Sequence, residues 1–150
     1  MNLSNLVILL IEDDPNDVIL MQRAIMKGKV LNPLQVISDG EQAIHYLAGK
    51  GIYADRDKFP LPVLILLDLK LPRKDGFEVL KWIKSRSELT SIPVVILTSS
   101  ERIEDIQQAY DLRANSYLVK PVDAEDLVKL FATLELYCII MNRKPDTDDN

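Results

Sequence analysis

Three stretches of this chain, LVILLI (6–11), VLILLD (63–68) and VVILT (94–98), are nearly continuous in valine, isoleucine and leucine. A strand with one face in water alternates apolar and polar residues. A strand covered by helices on both faces does not, so runs of this kind point to a parallel sheet sandwiched between helices. Two further runs, LQVIS (34–38) and SYLVK (116–120), bring the number of expected strands to five. Segments of helical character separate them and carry their own start signals. Asp14-Pro15-Asn16-Asp17 places a capping acid before a proline at the first helical position, with a second acid in the first turn, where the helix dipole favours it. Asp123-Ala124-Glu125-Asp126 repeats that logic before the last helix. Five strands and five helices in strict alternation predict an α/β fold: an open, doubly wound, five-stranded parallel sheet. The stretch GKGIYADRDKFPLP (49–62) has no periodicity and reads as a long surface loop.

At 150 residues and 17.1 kDa the chain is the size of one domain that needs no disulfide or metal to hold its core. The reading is a domain over 1–142 and a polar tail over 143–150. No apolar run approaches the roughly 18 residues of a membrane span. The N-terminus lacks the basic start of a secretion signal and Cys138 has no internal partner, so a soluble, cytoplasmic protein is expected. A net charge of −5 argues against a grip on nucleic acid, which needs clustered lysine and arginine.

In a doubly wound sheet the ligand site lies beyond the carboxyl ends of the strands. Glu12 and Asp13 follow the first run, Asp68 ends the third, Thr98 the fourth and Lys120 the fifth. Three carboxylates at one crevice repel one another unless protons are retained or a cation is bound, and Mg2+ suits a site with one or two carboxylates, a carbonyl and waters. Such an ion also suits a carboxylate nucleophile meeting a phosphoryl group. Lys120 would pair with one phosphoryl oxygen and Thr98 would donate to another. Together these parts describe a phosphoaspartate site. His45, in EQAIHYLAG, lies at no strand end and reads as a helix-surface residue; Phe77 and Trp82, in GFEVLKWIK, follow helical spacing and read as packing.

The blocks LLIEDDP, LLDLKLPRKDG, IPVVILTSS and YLVKP resemble those of the receiver domain of two-component response regulators, in the same order and over nearly the whole chain. The resemblance implies the strand order 2-1-3-4-5 and that Asp68 accepts a phosphoryl group from a histidine kinase. It also implies that Asp13 and Asp68 bind Mg2+ directly, that Glu12 acts through water and that Lys70 gives its backbone carbonyl. Thr98 and Tyr117 would be a switch pair acting on the surface of the fourth helix, fifth strand and fifth helix. Lys120 would be the phosphate partner, preceding a cis Pro121. The 50–61 loop, the lack of an output domain and the apolar last helix are similar to stand-alone response regulators of cyanobacterial phytochromes, which implies a phytochrome kinase as partner.

The alternative function is a Mg2+-dependent phosphohydrolase of the haloacid dehalogenase class, which also uses an aspartate nucleophile. Those enzymes carry a second aspartate two residues later, where this chain has Lys70, so a switch rather than an enzyme is expected. Mononucleotide binding lacks any glycine-rich phosphate loop, since neither GxGxxG nor GxxxxGK[ST] occurs. The last helix carries two apolar stripes. Leu127, Leu130, Phe131, Leu134, Cys138 and Met141 suit packing on the sheet; Val128, Ala132, Leu136, Ile139 and Ile140, with Tyr137 beside them, suit a homodimer contact.

Overall fold

The computed structural model describes residues 6–133. Strands β1 (Ile8–Ile11), β2 (Leu34–Ile37), β3 (Leu64–Leu67), β4 (Val94–Thr98) and β5 (Ser116–Val119) alternate with five α-helices. These are α1 (Pro15–Lys27), α2 (Gly40–Ala48), α3 (Gly76–Lys84), α4 (Ile103–Asp111) and α5 (Ala124–Thr133). All neighbouring strands pair in parallel, as the sequence predicts, in the order β2-β1-β3-β4-β5 that the family resemblance implies.

The apolar runs do not alternate because both faces of the sheet are interior. Successive strand residues point to opposite faces. Leu9, Ile11, Ile65, Leu67, Val94 and Ile96 join a buried cluster with Ala43 and Leu47 of α2, Val79, Leu80 and Ile83 of α3, and Ala109 of α4. Ile8, Leu10, Leu64, Leu66, Val95 and Leu97 join the other, with Met21, Ala24 and Ile25 of α1 and Leu127, Leu130 and Phe131 of α5. Each fully buried leucine or isoleucine contributes on the order of 1.5–3 kcal/mol. The described part of the first α5 stripe thus packs on the sheet as expected. Of the second stripe, Val128 is half-buried in the same cluster and Ala132 is exposed. Leu134, Leu136, Tyr137, Cys138, Ile139, Ile140, Met141 and the 142/143 boundary lie outside the described residues.

Aspartates start four of the helices. Asp14 accepts from the Asn16 amide at 2.9 Å, Asp39 from Gln42 at 2.7 Å and Asp126 donates its amide to Asp123 at 2.9 Å. Asp75 forms a capping box with Glu78. A cap of this kind is worth about 1 kcal/mol. Phe77 and Trp82 pack against the α2–α3 side of the core and the Arg86 guanidinium lies over the Trp82 ring, so both act as packing residues, and His45 sits in the last turn of α2.

The 49–62 segment lies at the surface, as expected, with most of its residues exposed, but it is anchored rather than loose. It contains a short 3-10 helix (Gly51–Ala54) and folds back onto α2. Tyr46 is fully buried, with its ring centroid 5.2 Å from Tyr53 and 6.0 Å from Phe59, and its hydroxyl donates to the Pro60 carbonyl at 2.8 Å. Arg56 donates to the carbonyls of Tyr46 (2.8 Å), Leu47 (2.9 Å) and Phe59 (3.1 Å). Two of those carbonyls belong to the last turn of α2, where the Tyr46 carbonyl otherwise accepts only from the Gly49 amide at the cap, at 3.1 Å. Aromatic packing and a guanidinium cap order a segment whose periodicity carries no sign of it.

Gly76 couples this scaffold to the strand that ends in Asp68. Its amide donates to the Leu69 carbonyl at 2.8 Å, and a Cβ here would lie 2.4 Å from the Asp68 carbonyl oxygen and 2.6 Å from the Leu69 Cα. Gly28 closes α1 with ordinary right-handed backbone, and its Cβ would come no nearer than 3.3 Å to any atom. Gly76→Ala is therefore expected to lower unfolding free energy by about 1–3 kcal/mol. Gly28→Ala should change it by less than about 1 kcal/mol. Urea unfolding of the two variants checks the contrast, and equal effects would count against it.

Candidate functional site

Because all five strands run the same way, their carboxyl ends share one edge of the sheet. Asp68 follows β3, the central strand, and its amide donates to the Ile11 carbonyl at 3.0 Å, which holds it beside the end of β1. There the chain turns through Glu12, Asp13 and Asp14 into α1. Glu12 points inward and is 2% exposed, Asp68 is 6% exposed, and Asp13 is open to solvent. One carboxylate oxygen from each of Glu12, Asp13 and Asp68 lies within 4.8 Å of the other two. Lys120 follows β5, before the cis Lys120–Pro121 bond expected from the sequence, and its amide donates to the Thr98 carbonyl at 2.8 Å. The strand ends thus bring together Glu12, Asp13, Asp68, Thr98 and Lys120. Lys70 and Ser99 join Glu12, Asp13, Asp68 and Lys120 on the wall of a crevice of about 250 Å³, with Thr98 immediately behind Ser99.

The Lys120 ammonium organises the crevice. It donates to Glu12 at very close range, to Asp17 Oδ2 at 2.9 Å and to Asp68 Oδ2 at 3.3 Å. Five carboxylates (Glu12, Asp13, Asp14, Asp17, Asp68) and two ammoniums (Lys70, Lys120) line the crevice, a formal charge of −5 + 2 = −3 when all are ionised. Burial pushes the Glu12 carboxyl up to about 7; hydrogen bonds from Lys120 and the Asp14 amide pull it back, and the Asp68 charge pushes it further up. Burial works against the charge on Lys120, but its bonds to Glu12 and Asp17 and the charges of Asp68 and Glu12 prevail, holding it above the ordinary lysine value. The two directions are compatible because one ammonium is divided among three carboxylates. Two oxygen-rich carboxylates beside a third, short of positive charge, form a donor set that fits a hard divalent cation better than a soft one.

Asp17 is the residue that the sequence reading missed. Its position marks it only as a first-turn acid, yet it is a direct partner of Lys120. Helical side chains lean toward the helix N-terminus, so an acid in the first turn after the β1 end is aimed back at the crevice; that geometric rule was the available signal. Ser100 is the second addition. Its amide donates to Thr98 Oγ1 at 3.3 Å, its carbonyl accepts from the Tyr117 hydroxyl at 3.0 Å and its own hydroxyl donates to Asp105 at 2.6 Å. Thr98, 1% exposed, and Tyr117, half-buried, are therefore joined through the backbone of one intervening residue. Burial raises the Tyr117 phenol, against its bond to Ser100 and with the charges of Asp105 and Asp68.

Residues 8–132 match the family model described as the response regulator receiver domain. The chain is 40% identical over 131 residues to response regulator Rcp1 of Synechocystis sp., covering 87% of each protein. A crystal structure of the Mn(2+)-bound form of Rcp1 aligns with a TM-score of 0.71 over 89% of this chain and 92% of that one. The phosphorylated cyanobacterial phytochrome response regulator RcpA aligns with a TM-score of 0.75 at 39% identity, over 89% and 94% of the two chains. The bacteriophytochrome response regulator RtBRR gives 0.80 at 41% identity, over 93% and 84%. The phosphohydrolase alternative finds no support in these matches. With the sheet order, the strand-end acids and lysine, and a match that spans most of its length, the chain belongs to the response regulator receiver domain family.

Proposed function

We propose that this receiver takes a phosphoryl group onto Asp68 from the phosphohistidine of a sensor histidine kinase and passes the event to its α4, β5 and α5 surface. The observation that carries the reading is the setting of Asp68, a nearly buried carboxylate at the end of the central strand, bonded to one shared ammonium and within ligand distance of two further acids. In the transfer, an Asp68 carboxylate oxygen bonds to phosphorus as the phosphorus–nitrogen bond breaks. The bonding pair stays on the imidazole nitrogen. Lys120 meets the charge of the phosphoryl oxygens, and the Thr98 hydroxyl donates to one of them. Asp13, Asp68 and the Lys70 carbonyl would hold Mg2+ directly, with Glu12 acting through water. Such an ion supplies charge neutralisation between carboxylate and phosphoryl group.

For Thr98 to donate to a phosphoryl oxygen, its hydroxyl turns away from the Ser100 amide, which disturbs the residue that also holds the Tyr117 hydroxyl. That supports a shift between two packings of the segment between β4 and α4. The likeness to RcpA and RtBRR, described as phytochrome and bacteriophytochrome response regulators, supports a phytochrome kinase as the donor. A cytoplasmic protein paired through its last helix completes the reading. Among the described residues no helix is long and apolar enough to cross a membrane.

With Mg2+ and a small acyl phosphate, the wild-type chain is expected to retain a stoichiometric acid-labile phosphoryl group, and Asp68→Asn to take up none. Label on Asp68→Asn at the wild-type rate would remove Asp68 as the acceptor, and sustained release of phosphate over many turnovers would favour a hydrolase.

Glu12 supplies a pH signature. Its folded value of about 7 lies above its ordinary 4.5, so between the two the native state binds more protons than the unfolded chain. The stabilisation is complete below the unfolded value and lost as pH rises through the folded one. Without metal, urea unfolding should show the wild type losing stability relative to Glu12→Gln across that window, by at most ~3 kcal/mol. Added Mg2+, which competes with protons for the carboxylates, should stabilise the wild type more above this window than below it. A difference between the two proteins that does not vary with pH would contradict the assignment.

A further inference from the structure

We propose that Asp17 is a restraint on Lys120, holding its ammonium in a resting position that must be given up when a phosphoryl group arrives on Asp68. The proposal rests on Asp68 being the acceptor. An ammonium has three N–H donors. In this structure each has a carboxylate: Glu12, Asp17 at 2.9 Å and Asp68 at 3.3 Å. None is free for a phosphoryl oxygen. The oxygen of Asp68 becomes part of the acyl phosphate, so the donor it holds can pass to a phosphoryl oxygen; that group extends beyond the carboxylate, and for Lys120 to follow it a second bond must stretch, to Glu12 or to Asp17. The side chain of Glu12 is 2% exposed, so water cannot readily replace the lysine there. Asp17 is 29% exposed. Its carboxylate can take up water as the lysine leaves, and it lies in the first turn of α1, where the helix dipole stabilises a negative charge left alone.

Lys120 stands closer to Asp17 (2.9 Å) than to Asp68 (3.3 Å), so in the resting site the ammonium is drawn toward α1 and away from the acceptor. Asp17 thus competes with the phosphoryl group for the same donor, although no reacting atom touches it. It is a positioning residue acting through Lys120. Removing its charge should leave Lys120 bonded to Glu12 and Asp68 and turn its bond at position 17 into a weaker one to a neutral oxygen. The cost of pulling the ammonium away from position 17 then falls in the binding of any phosphoryl-like anion. Loss of a negative charge near the crevice would by itself favour an anion, so the test needs a control of equal charge. Asp14 provides it. It lines the same crevice three residues earlier but bonds the Asn16 amide rather than Lys120, and asparagine caps a helix about as well as aspartate.

The experiment titrates fluoroberyllate, a phosphoryl mimic, into the full chain with Mg2+, following the affinity by amide NMR shifts of residues around Asp68. Urea midpoints confirm that each variant is folded. Asp17→Asn is expected to tighten the affinity roughly one-and-a-half- to fivefold, the range of a partly exposed ion pair. Asp14→Asn should give clearly less. Unchanged or weaker affinity in Asp17→Asn would overturn the proposal. So would an equal gain in Asp14→Asn, which would make the effect one of the general field. If the wild type binds no fluoroberyllate, or the shifts do not depend on Asp68, the reading of Asp68 fails first and the restraint on Lys120 falls with it.

Discussion

One ammonium among too many carboxylates is the interaction on which the rest of this molecule depends. Lys120 comes from β5, at one edge of the sheet, and its partners come from the β1 end, α1 and the central strand. The bonds pin together the segments that surround the crevice. They leave a residual negative charge that a bound cation or a retained proton can neutralise, so the site is held in shape and short of positive charge at once. A buried lysine facing a single acid would make an inert pair. Division among three acids spreads its donors over three segments of the chain, with the longest bond at Asp68.

The scaffold is arranged to make that imbalance tolerable. Both faces of the strands are buried in apolar clusters, so polar groups find water only where the strands end. The caps at Asp14, Asp39, Asp75 and Asp123 start helices close behind those ends, and the Gly76 backbone lies against Asp68 and Leu69 where a side chain would not fit. The chain turns sharply at each strand end, and several acidic side chains meet within a few ångströms. The opposite end of the sheet is treated differently. There Arg56 and an aromatic trio tie the 49–62 segment to α2, which makes a long connection part of the core.

Ser100 shows how a site can speak to a surface with few moving parts. Through its amide, carbonyl and hydroxyl it touches Thr98, Tyr117 and Asp105, which belong to the crevice, to β5 and to the start of α4. A change in the bonding of Thr98 need not travel through the packed core, because it is one residue away from the backbone that holds Tyr117. Strands buried on both faces resist small displacements, whereas a short hydrogen-bonded segment has discrete alternatives.

The amino-acid sequence alone determined the strands, their parallel arrangement, the capping of α1 and α5, and the candidate identities of Glu12, Asp13, Asp68, Thr98 and Lys120. Each of these is written in periodicity, in a cap within a few positions, or in the rule that polar residues at strand ends face the ligand edge. Tertiary structure decided the rest. The bond between Lys120 and Asp17 joins positions 103 apart, and that between Lys120 and Glu12 positions 108 apart, so no local pattern could assign them. The anchoring of the 49–62 segment by Arg56 and the linking of Thr98 to Tyr117 through Ser100 are of the same kind. Local propensity and burial act on neighbours along the chain, but an ammonium chooses its carboxylates by distance in space, and that distance exists only once the strands have been laid side by side.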